Sequence, residues 1–192
     1  MSHRRDHEWL ETFEGSGADR YDAHAGRLRG MHLRTAHRVA DLLPAGGRYV
    51  DVGSGPGTLL AQVATLQPDA NVTGVDPSER MVELASARLG GVAAGRSRVL
   101  RGSAEALPLP DASADVVSAV LTMHHWDDLI AGVAETLRVL APGGSLLVVE
   151  MRGPSRHVGQ TLRRAGAFVV RRNAWVYGLP MLARLTARRP GR

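Results

Sequence analysis

A glycine-rich segment between a strand pattern and a helix pattern, at residues 49–58, constrains the fold of this 192-residue chain most strongly. Val50 and Val52 are β-branched residues that favour a strand. After the glycines, apolar residues recur at helical spacing: Leu59, Leu60, Val63, Ala64 and Leu66. Glycines let the backbone approach a ligand closely, and the first turn of a following helix offers free N–H groups. The segment therefore predicts a nucleotide-type cofactor pocket.

The acidic residues around the glycines narrow the choice of cofactor. The spacing is Gly-x-Gly-x-Gly, and Thr58 stands where the dinucleotide fingerprint has its third glycine. At the end of the predicted strand, Asp51 would repel a pyrophosphate and attract an ammonium group. A second predicted strand ends at Asp76, a position from which a carboxylate accepts hydrogen bonds from ribose hydroxyls. That second acid also occurs in NAD-binding proteins and does not discriminate alone.

Strand and helix patterns alternate along the chain, which predicts a parallel sheet covered by helices on both faces. A helix at 32–43 comes first. Strands are predicted at 48–52, 71–75, 97–101, 115–121 and 145–150, with helices at 58–67, 78–89 and 127–140. A helix at 156–165 and strands at 168–172 and 181–187 follow. Only Met151 to Ser155 separate the fifth strand from the helix after it.

Three further segments occur in the order found in class I S-adenosylmethionine-dependent methyltransferases, which the chain resembles from about Tyr21 to its C-terminus. They are residues 102–111, residues 115–127 with the sequence Met123-His124-His125-Trp126-Asp127 at the end, and residues 137–150. The resemblance, which is to the small-molecule type, implies an α/β fold. Its form would be a Rossmann-like three-layer sandwich, with a mostly parallel seven-stranded sheet and a terminal antiparallel strand pair.

The same resemblance implies one methyltransferase domain over residues 1–192. Residues 1–44 would form an N-terminal helical cap or lid, residues 45–150 the cofactor-binding half, and residues 151–192 a short helix with the terminal strand pair. Because the connection after the fifth strand is short, we expect any lid to come mainly from the N-terminal segment.

The resemblance places S-adenosylmethionine across the carboxyl ends of the strands. Its methionine part would border Gly53, Ser54, Gly55 and Gly57, with Asp51 near the ammonium and the backbone of Leu121 close by. Asp76 would take the ribose hydroxyls. The adenine would lie near Pro77, Met81, Ser103, Ala104 and Glu105, and Tyr21 would fold over the cofactor. Ser103 departs from the family, in which an acid often faces the adenine amino group.

His124 and His125 are the candidate catalytic residues, because they follow the fourth strand on the acceptor side. A hydroxyl or phenol acceptor gains from losing its proton, and histidine titrates near neutral pH. The alternative is a structural role, in which the two histidines pack against their neighbours or cap the next helix. No metal is predicted, because adjacent histidines without cysteine or a clear third ligand make a poor metal site.

Composition excludes several chemistries. The chain has no cysteine, which removes disulfides, a cysteine nucleophile and thiolate metal sites, and no lysine, which removes Schiff-base chemistry. After Glu150 there are ten arginines and no acid. Paired arginines alternate with apolar residues there, which favours the solvated faces of a helix and two strands; binding of nucleic acid or anionic lipid stays open.

These observations predict a methyltransferase that transfers a methyl group to oxygen, nitrogen or carbon of a small molecule and releases S-adenosylhomocysteine. A non-catalytic protein of the same fold that binds S-adenosylmethionine or S-adenosylhomocysteine, or serves as a scaffold, is the alternative. An RNA methyltransferase and an NAD-dependent oxidoreductase are disfavoured. No apolar run could cross a bilayer, so we expect a cytoplasmic protein with no membrane partner. The expected partner is the small-molecule acceptor, and a nucleic-acid partner is disfavoured. A homodimer stays open.

Overall fold

The computed structural model of the protein describes residues 29–172 and 182–191, without the side chain of Arg172. The helices are α1 (Arg29–Ala40), α2 (Thr58–Leu66), α3 (Glu79–Gly90), α4 (Leu129–Val139) and α5 (Arg152–Arg164), with a 3-10 turn at Met123–His125. The strands are β1 (Arg48–Val52), β2 (Asn71–Asp76), β3 (Ser97–Arg101), β4 (Ala114–Val120), β5 (Leu140–Met151), β6 (Phe168–Arg172) and β7 (Leu182–Arg188). The part of the predicted cap at residues 1–28 lies outside the described residues.

The strands form one seven-stranded sheet in the order β3-β2-β1-β4-β5-β7-β6. Strands β1 to β5 are parallel, and β7 pairs antiparallel with both β5 and β6. In the register of β1 and β4, Asp51 stands directly opposite Ser118. This architecture confirms the predicted Rossmann-like sheet and its terminal antiparallel pair.

Helices cover both faces of this sheet. On one face, an apolar cluster joins α1 and α2 to the sheet through Val39, Leu60 and Tyr49. On the other face, a second cluster joins α4 and α5 to the sheet through Val133, Leu162 and Val148. Because successive strand residues point to opposite faces, the side chains of Tyr49 and Asp51 share the α1 face.

The predicted connection between the fifth strand and the next helix is wrong. Helix α5 begins at Arg152, directly after β5, so Met151 to Ser155 do not form a separate segment. Pro154 lies in the first helical turn, where its missing N–H costs nothing, so the helix can begin ahead of it. Strand β5 therefore continues directly into α5 without an intervening segment.

The described arginines after Glu150 are exposed or half-buried and do not belong to the core. Arg163 and Arg164 are exposed on α5, as the alternating pattern predicted. Arg171 donates hydrogen bonds to the Arg152 carbonyl oxygen at 3.2 Å and to Ser155 Oγ at 2.8 Å. None of the helices in residues 29–172 and 182–191 is long and apolar enough to cross a membrane.

Candidate functional site

The candidate site lies where the carboxyl ends of β1 and β4 meet, the point at which the strand order reverses. A cavity of about 210 Å³ opens there. It collects most of the residues that the resemblance assigned to the donor: Gly53, Gly55, Asp76, Pro77, Met81, Ser103, Ala104, Glu105 and Leu121. Residues from four separate chain segments therefore meet at the predicted edge of the sheet.

The three glycines after β1 serve three different purposes. All have positive φ: 70° at Gly53, 52° at Gly55 and 76° at Gly57. A Cβ on Gly53 would lie 2.1 Å from Thr122 Oγ1, whereas a Cβ on Gly55 would meet no atom within 4 Å. A Cβ on Gly57 would lie 2.8 Å from Ala85 Cβ on α3. Gly55 thus leaves space beside the cavity, and Gly57, which lines no cavity, permits close packing of α2 on α3.

Asp76 holds the glycine loop from the neighbouring strand. Its Oδ2 accepts the Gly55 N–H at 2.8 Å and its Oδ1 accepts the Ser78 N–H at 3.0 Å. The side chain is buried, and the residue lines the cavity. A carboxylate oxygen has a second lone pair, so Asp76 can bind the loop and also accept a ligand hydroxyl. This dual capacity fits the ribose role predicted for it.

A smaller cavity of about 40 Å³ lies beyond the glycine loop and is lined by His32, Asp51 and Ser54. It shares Gly53, Gly55 and Val120 with the larger cavity. Ser54 Oγ and His32 Nδ1 are both buried, and neither has a hydrogen-bond partner among the residues that the structure describes. Such atoms cost free energy unless a ligand or water satisfies them. The small cavity therefore offers polar groups to a compact polar ligand.

Asp51 forms the acidic wall of this small cavity. It is 3% exposed, and its Oδ1 accepts a hydrogen bond from the Ser118 hydroxyl. Burial raises the pKa of Asp51 from 3.8 to about 7; the Ser118 hydrogen bond lowers it and the charge of Asp76 raises it further. Near neutral pH, a cationic ligand would stabilise the ionised carboxylate.

The loop that carries Ser103, Ala104 and Glu105 is fixed by hydrogen bonds from α4 at its far end. Arg138 on α4 donates to the carbonyl oxygens of Leu109 at 2.8 Å and Leu107 at 3.1 Å. Glu135 accepts the Leu107 N–H at 2.9 Å. These hydrogen bonds tie the loop to α4, so the predicted adenine wall rests on a fixed support.

Leu121 has a strained backbone at the cavity wall. Its φ is 54°, one of two positive values among non-glycine residues in the described part of the chain. Its N–H donates to the Val149 carbonyl oxygen at 2.8 Å, which holds the residue in place. Strain of this kind costs about 1–3 kcal/mol and concentrates at ligand sites. The observation favours the predicted backbone contact of Leu121 with the donor.

The structure separates the two histidines that sequence analysis treated as a pair. His125 lines the large cavity, whereas His124 does not. His124 Nδ1 lies 2.9 Å and 3.0 Å from the two carboxylate oxygens of Glu150. Because an ionised carboxylate only accepts hydrogen bonds, Nδ1 of His124 carries the proton. The two imidazole rings lie 3.9 Å apart between centroids.

These neighbours control the protonation of His125. Burial lowers its pKa, the His124 imidazole lowers it further, and the Glu150 carboxylate raises it. His125 is therefore neutral at neutral pH and can accept a proton. Of the two histidines, it is the one positioned to act on a bound molecule.

Glu150 and His32 are the residues that sequence reasoning missed. Glu150 is fully buried, and its Oε1 also accepts the Met151 N–H at 2.7 Å. A signal for it existed: like Asp51 and Asp76, it is an acid near the carboxyl end of a parallel strand. His32 had no comparable signal, because only the packing of α1 brings it to Asp51.

Two of the earlier predictions concern tyrosine and metal. Tyr21 lies outside the described residues. Within residues 29–172 and 182–191, no group of three histidine, aspartate or glutamate side chains is arranged to hold a metal ion.

Comparisons with known proteins agree with this geometry. The chain is 39% identical over 130 residues to 27-O-demethylrifamycin SV methyltransferase of Amycolatopsis mediterranei, covering 66% of this chain and 47% of that protein. It is 31% identical over 185 residues to demethylmenaquinone methyltransferase of Roseiflexus castenholzii, covering 92% of this chain and 71% of that protein. The crystal structure of a SAM dependent methyltransferase from Aquifex aeolicus shares the fold, with a TM-score of 0.76, 22% identity and coverage of 90% and 97%.

The chain thus spans about half the length of the rifamycin relative. Residues 50–148, which extend from β1 through most of β5, match the methyltransferase domain family. The matched region contains the glycine loop, Asp76, the loop of Ser103 to Glu105 and both histidines. The chain belongs to the methyltransferase domain family.

Proposed function

We propose that the protein is an S-adenosylmethionine-dependent methyltransferase acting on a small molecule with an acidic hydroxyl or phenol group. The observation that carries the proposal is a pair of cavities beside the glycine loop, which share Gly53 and Gly55 in their linings. The larger one reaches Asp76, and the smaller one has Asp51 and the hydroxyl of Ser54 in its wall. The adenosine and amino-acid ends of one ligand match the polarity of these two compartments.

The donor-binding roles follow from the position of each residue. Asp76 accepts the ribose hydroxyls, and Pro77, Met81 and the loop of Ser103 to Glu105 enclose the adenine. Asp51 accepts the ammonium, while Ser54 and His32 donate hydrogen bonds to the carboxylate. Gly53 and Gly55 lie between the two ends, where the backbone must approach the ligand closely.

S-Adenosylmethionine supplies an electrophilic methyl group on a sulfonium and leaves as S-adenosylhomocysteine. The catalytic share of the protein is then mainly positioning, which can supply several kcal/mol of the barrier. His125 accepts the proton of the acceptor hydroxyl, because it is neutral and lines the large cavity. His124, held by Glu150, packs against the His125 ring and fixes its orientation.

Two relatives support a small-molecule acceptor. The names of the proteins from Amycolatopsis mediterranei and Roseiflexus castenholzii refer to a demethylrifamycin and to demethylmenaquinone. Both names describe small organic molecules as acceptors. We infer the same class for this chain, with the individual acceptor set by the cavity wall beyond His125.

Calorimetric titration with S-adenosylmethionine, S-adenosylhomocysteine and NAD, each alone, tests the donor. We expect saturable binding of the two sulfur ligands and none of NAD. Incubation with S-adenosylmethionine and a panel of phenols, hydroxy acids and amines, followed by mass spectrometry, then tests transfer. Donor binding with no methylated product across that panel would favour the non-catalytic alternative.

Asp76→Ala gives a site-specific test of the donor assignment. Loss of charge-assisted hydrogen bonds should weaken binding of S-adenosylhomocysteine by about 1–3 kcal/mol. Asp69→Ala, at an exposed position between α2 and β2, is the matched control and should bind normally. Unchanged affinity of Asp76→Ala would remove Asp76 from the site.

A further inference from the structure

Three buried polar side chains form a chain of hydrogen bonds beneath the small cavity. The exposed fractions of Tyr49, Ser118 and Asp51 are 0%, 0% and 3%. The Tyr49 hydroxyl lies 2.6 Å from Ser118 Oγ, and the Ser118 hydroxyl donates to Asp51 Oδ1. The chain exists because Ser118 stands opposite Asp51 in the register of β1 and β4. Only Asp51 of the three lines the cavity.

When Asp51 is ionised, chemistry fixes the direction of these hydrogen bonds. Ser118 has one hydroxyl proton, which it gives to the Asp51 carboxylate, so its oxygen accepts from Tyr49. Tyr49 keeps its proton because burial, together with the charge of Asp51, raises its pKa. Each donated bond polarises the next, so both hydroxyls stabilise a negative charge on Asp51.

The other groups that face Asp51 supply no fixed positive charge. From β2, Asp76 adds a second negative charge. From α1, His32 lines the same cavity, and burial lowers its pKa, so it is neutral at pH 7. The described residues that line the small cavity include no arginine. In the ligand-free protein, the ionised form of Asp51 therefore depends on Ser118 and Tyr49.

We propose that Ser118 and Tyr49 are positioning residues that hold Asp51 for the donor ammonium, and that donor binding displaces a proton from Asp51. The proposal rests on the proposed function, because it takes the ammonium of S-adenosylmethionine as the ligand of Asp51. The proton leaves the carboxyl group for solvent as the ammonium takes its place, so charge balances in the pocket.

The proposed coupling between donor binding and loss of the Asp51 proton predicts a specific pH dependence of donor affinity. Because burial raises the pKa of Asp51 to about 7, the carboxyl group is mostly protonated at pH 6. Donor affinity should therefore fall about tenfold for each pH unit below that midpoint and level off above it. The useful range is pH 5.5 to 7.5, because a free α-amino group itself begins to titrate near pH 8.

Calorimetry of S-adenosylhomocysteine binding in phosphate and in Tris buffers measures both affinity and protons released. We expect close to one proton released at pH 6 and about half a proton at pH 7. 5′-Methylthioadenosine, which lacks the ammonium, should bind with no proton release. His32→Gln removes the other titratable side chain that lines the small cavity besides Asp51. It should weaken binding, because His32 is proposed to donate to the donor carboxylate, while the number of protons released for each bound ligand stays the same.

Variants of the hydroxyl chain separate positioning from simple packing. Ser118→Ala should move the affinity midpoint upward by about one pH unit, weaken binding severalfold at pH 7 and raise proton release there. Tyr49→Phe keeps the ring in the core and should cause a smaller shift in the same direction. A packing role alone would weaken binding by the same factor at every pH and leave proton release unchanged.

Three results would overturn the inference, and they have different consequences. Tight binding of S-adenosylhomocysteine with no pH dependence and no proton release would refute the coupling while leaving the proposed function intact. Absence of binding by both sulfur ligands at every pH would refute the proposed function and the coupling with it. Proton release that Asp51→Asn does not abolish would assign the proton to another group and also refute the coupling.

Discussion

The proposed donor side and the proposed acceptor side of the cavity are built from different parts of the polypeptide. The proposed donor side consists largely of backbone: positive-φ glycines, N–H groups bound to Val75 and Asp76, and strand ends that are fixed by the sheet. The proposed acceptor side consists of side chains, with His125 packed against His124, which in turn is bound by Glu150. Backbone geometry tolerates few substitutions, whereas side chains can be exchanged without altering the strands that carry them. One fold can therefore keep its donor and change its acceptor.

Of the variants considered, His125→Ala should have the largest effect. It should lower turnover and leave donor binding nearly unchanged. Loss of a general base lowers turnover by about 10²–10⁴-fold, and the donor pocket stays intact. We expect kcat to fall with less than about a threefold change in donor Kd, measured by steady-state kinetics and calorimetry.

His157→Ala is the matched control, because His157 is exposed on α5 and lies outside the cavity lining. It should show normal turnover. If His125→Ala turned over a true acceptor at the normal rate, the imidazole would be a packing residue. If it abolished donor binding, the two sides would not be independent.

Gly53→Ala should disrupt the proposed donor site because it strains the backbone of the glycine loop. An alanine at φ 70° is strained, and its Cβ would overlap Thr122 Oγ1. We expect a loss of about 2–4 kcal/mol in the free energy of unfolding and a loss of donor binding. Urea unfolding and calorimetry measure the two effects.

Gly46→Ala is the control that separates the cost of backbone strain from the cost of atomic overlap. Gly46 has a similar φ of 65°, and a Cβ there would meet no atom within 4 Å. It should lose only about 1 kcal/mol of stability and bind the donor normally. Equal losses in the two variants would mean that Thr122 moves aside freely.

The geometry of the proposed donor side was largely predictable because each of its signals lies within one short segment. The glycine spacing and each acid that ends β1 or β2 directly follow a strand pattern, and β1, β3 and β6 have the predicted bounds. The acceptor side was not, because the contact of His124 with Glu150 joins residues 26 positions apart across neighbouring strands. The start of α5 was missed for a local reason, since Pro154 is tolerated in a first turn.

Asp51→Asn should increase the stability of the protein and weaken donor binding. A raised pKa means that the folded state favours the protonated carboxyl group, so stability from Asp51 is full below pH 3.8 and is lost as pH rises towards 7. Asparagine does not ionise, so the variant avoids this loss of stability at high pH. We expect Asp51→Asn to gain about 1–3 kcal/mol in the free energy of unfolding at pH 8, and to lose donor affinity.

Asp115→Asn provides a comparison with the opposite sign. The Arg48 guanidinium holds the pKa of Asp115 below its usual value, through a 2.7 Å ion pair. Stability from that pair is present at neutral pH and is lost as pH falls through the folded pKa. Denaturant titrations at pH 4 and pH 8 measure both effects. As the pH rises from 4 to 8, the stability of Asp51→Asn relative to the unmutated protein should increase, and that of Asp115→Asn should decrease. A stability loss in Asp51→Asn at pH 8 would show that its ionised form is stabilised in the ligand-free protein.

Glu150→Gln should have the smallest effect and the most specific one, because it acts on His125 through His124. The Glu150 carboxylate raises the pKa of His125, so its loss should move the acidic limb of the kcat/KM profile to lower pH. A weaker base should also lower kcat by about tenfold, with donor affinity unchanged. His124→Ala removes the imidazole that lowers the pKa of His125, so its acidic limb should move to higher pH. Shifts in the same direction for both variants would mean that the pair changes the position of His125 rather than its protonation, and the acceptor side would then depend on geometry alone.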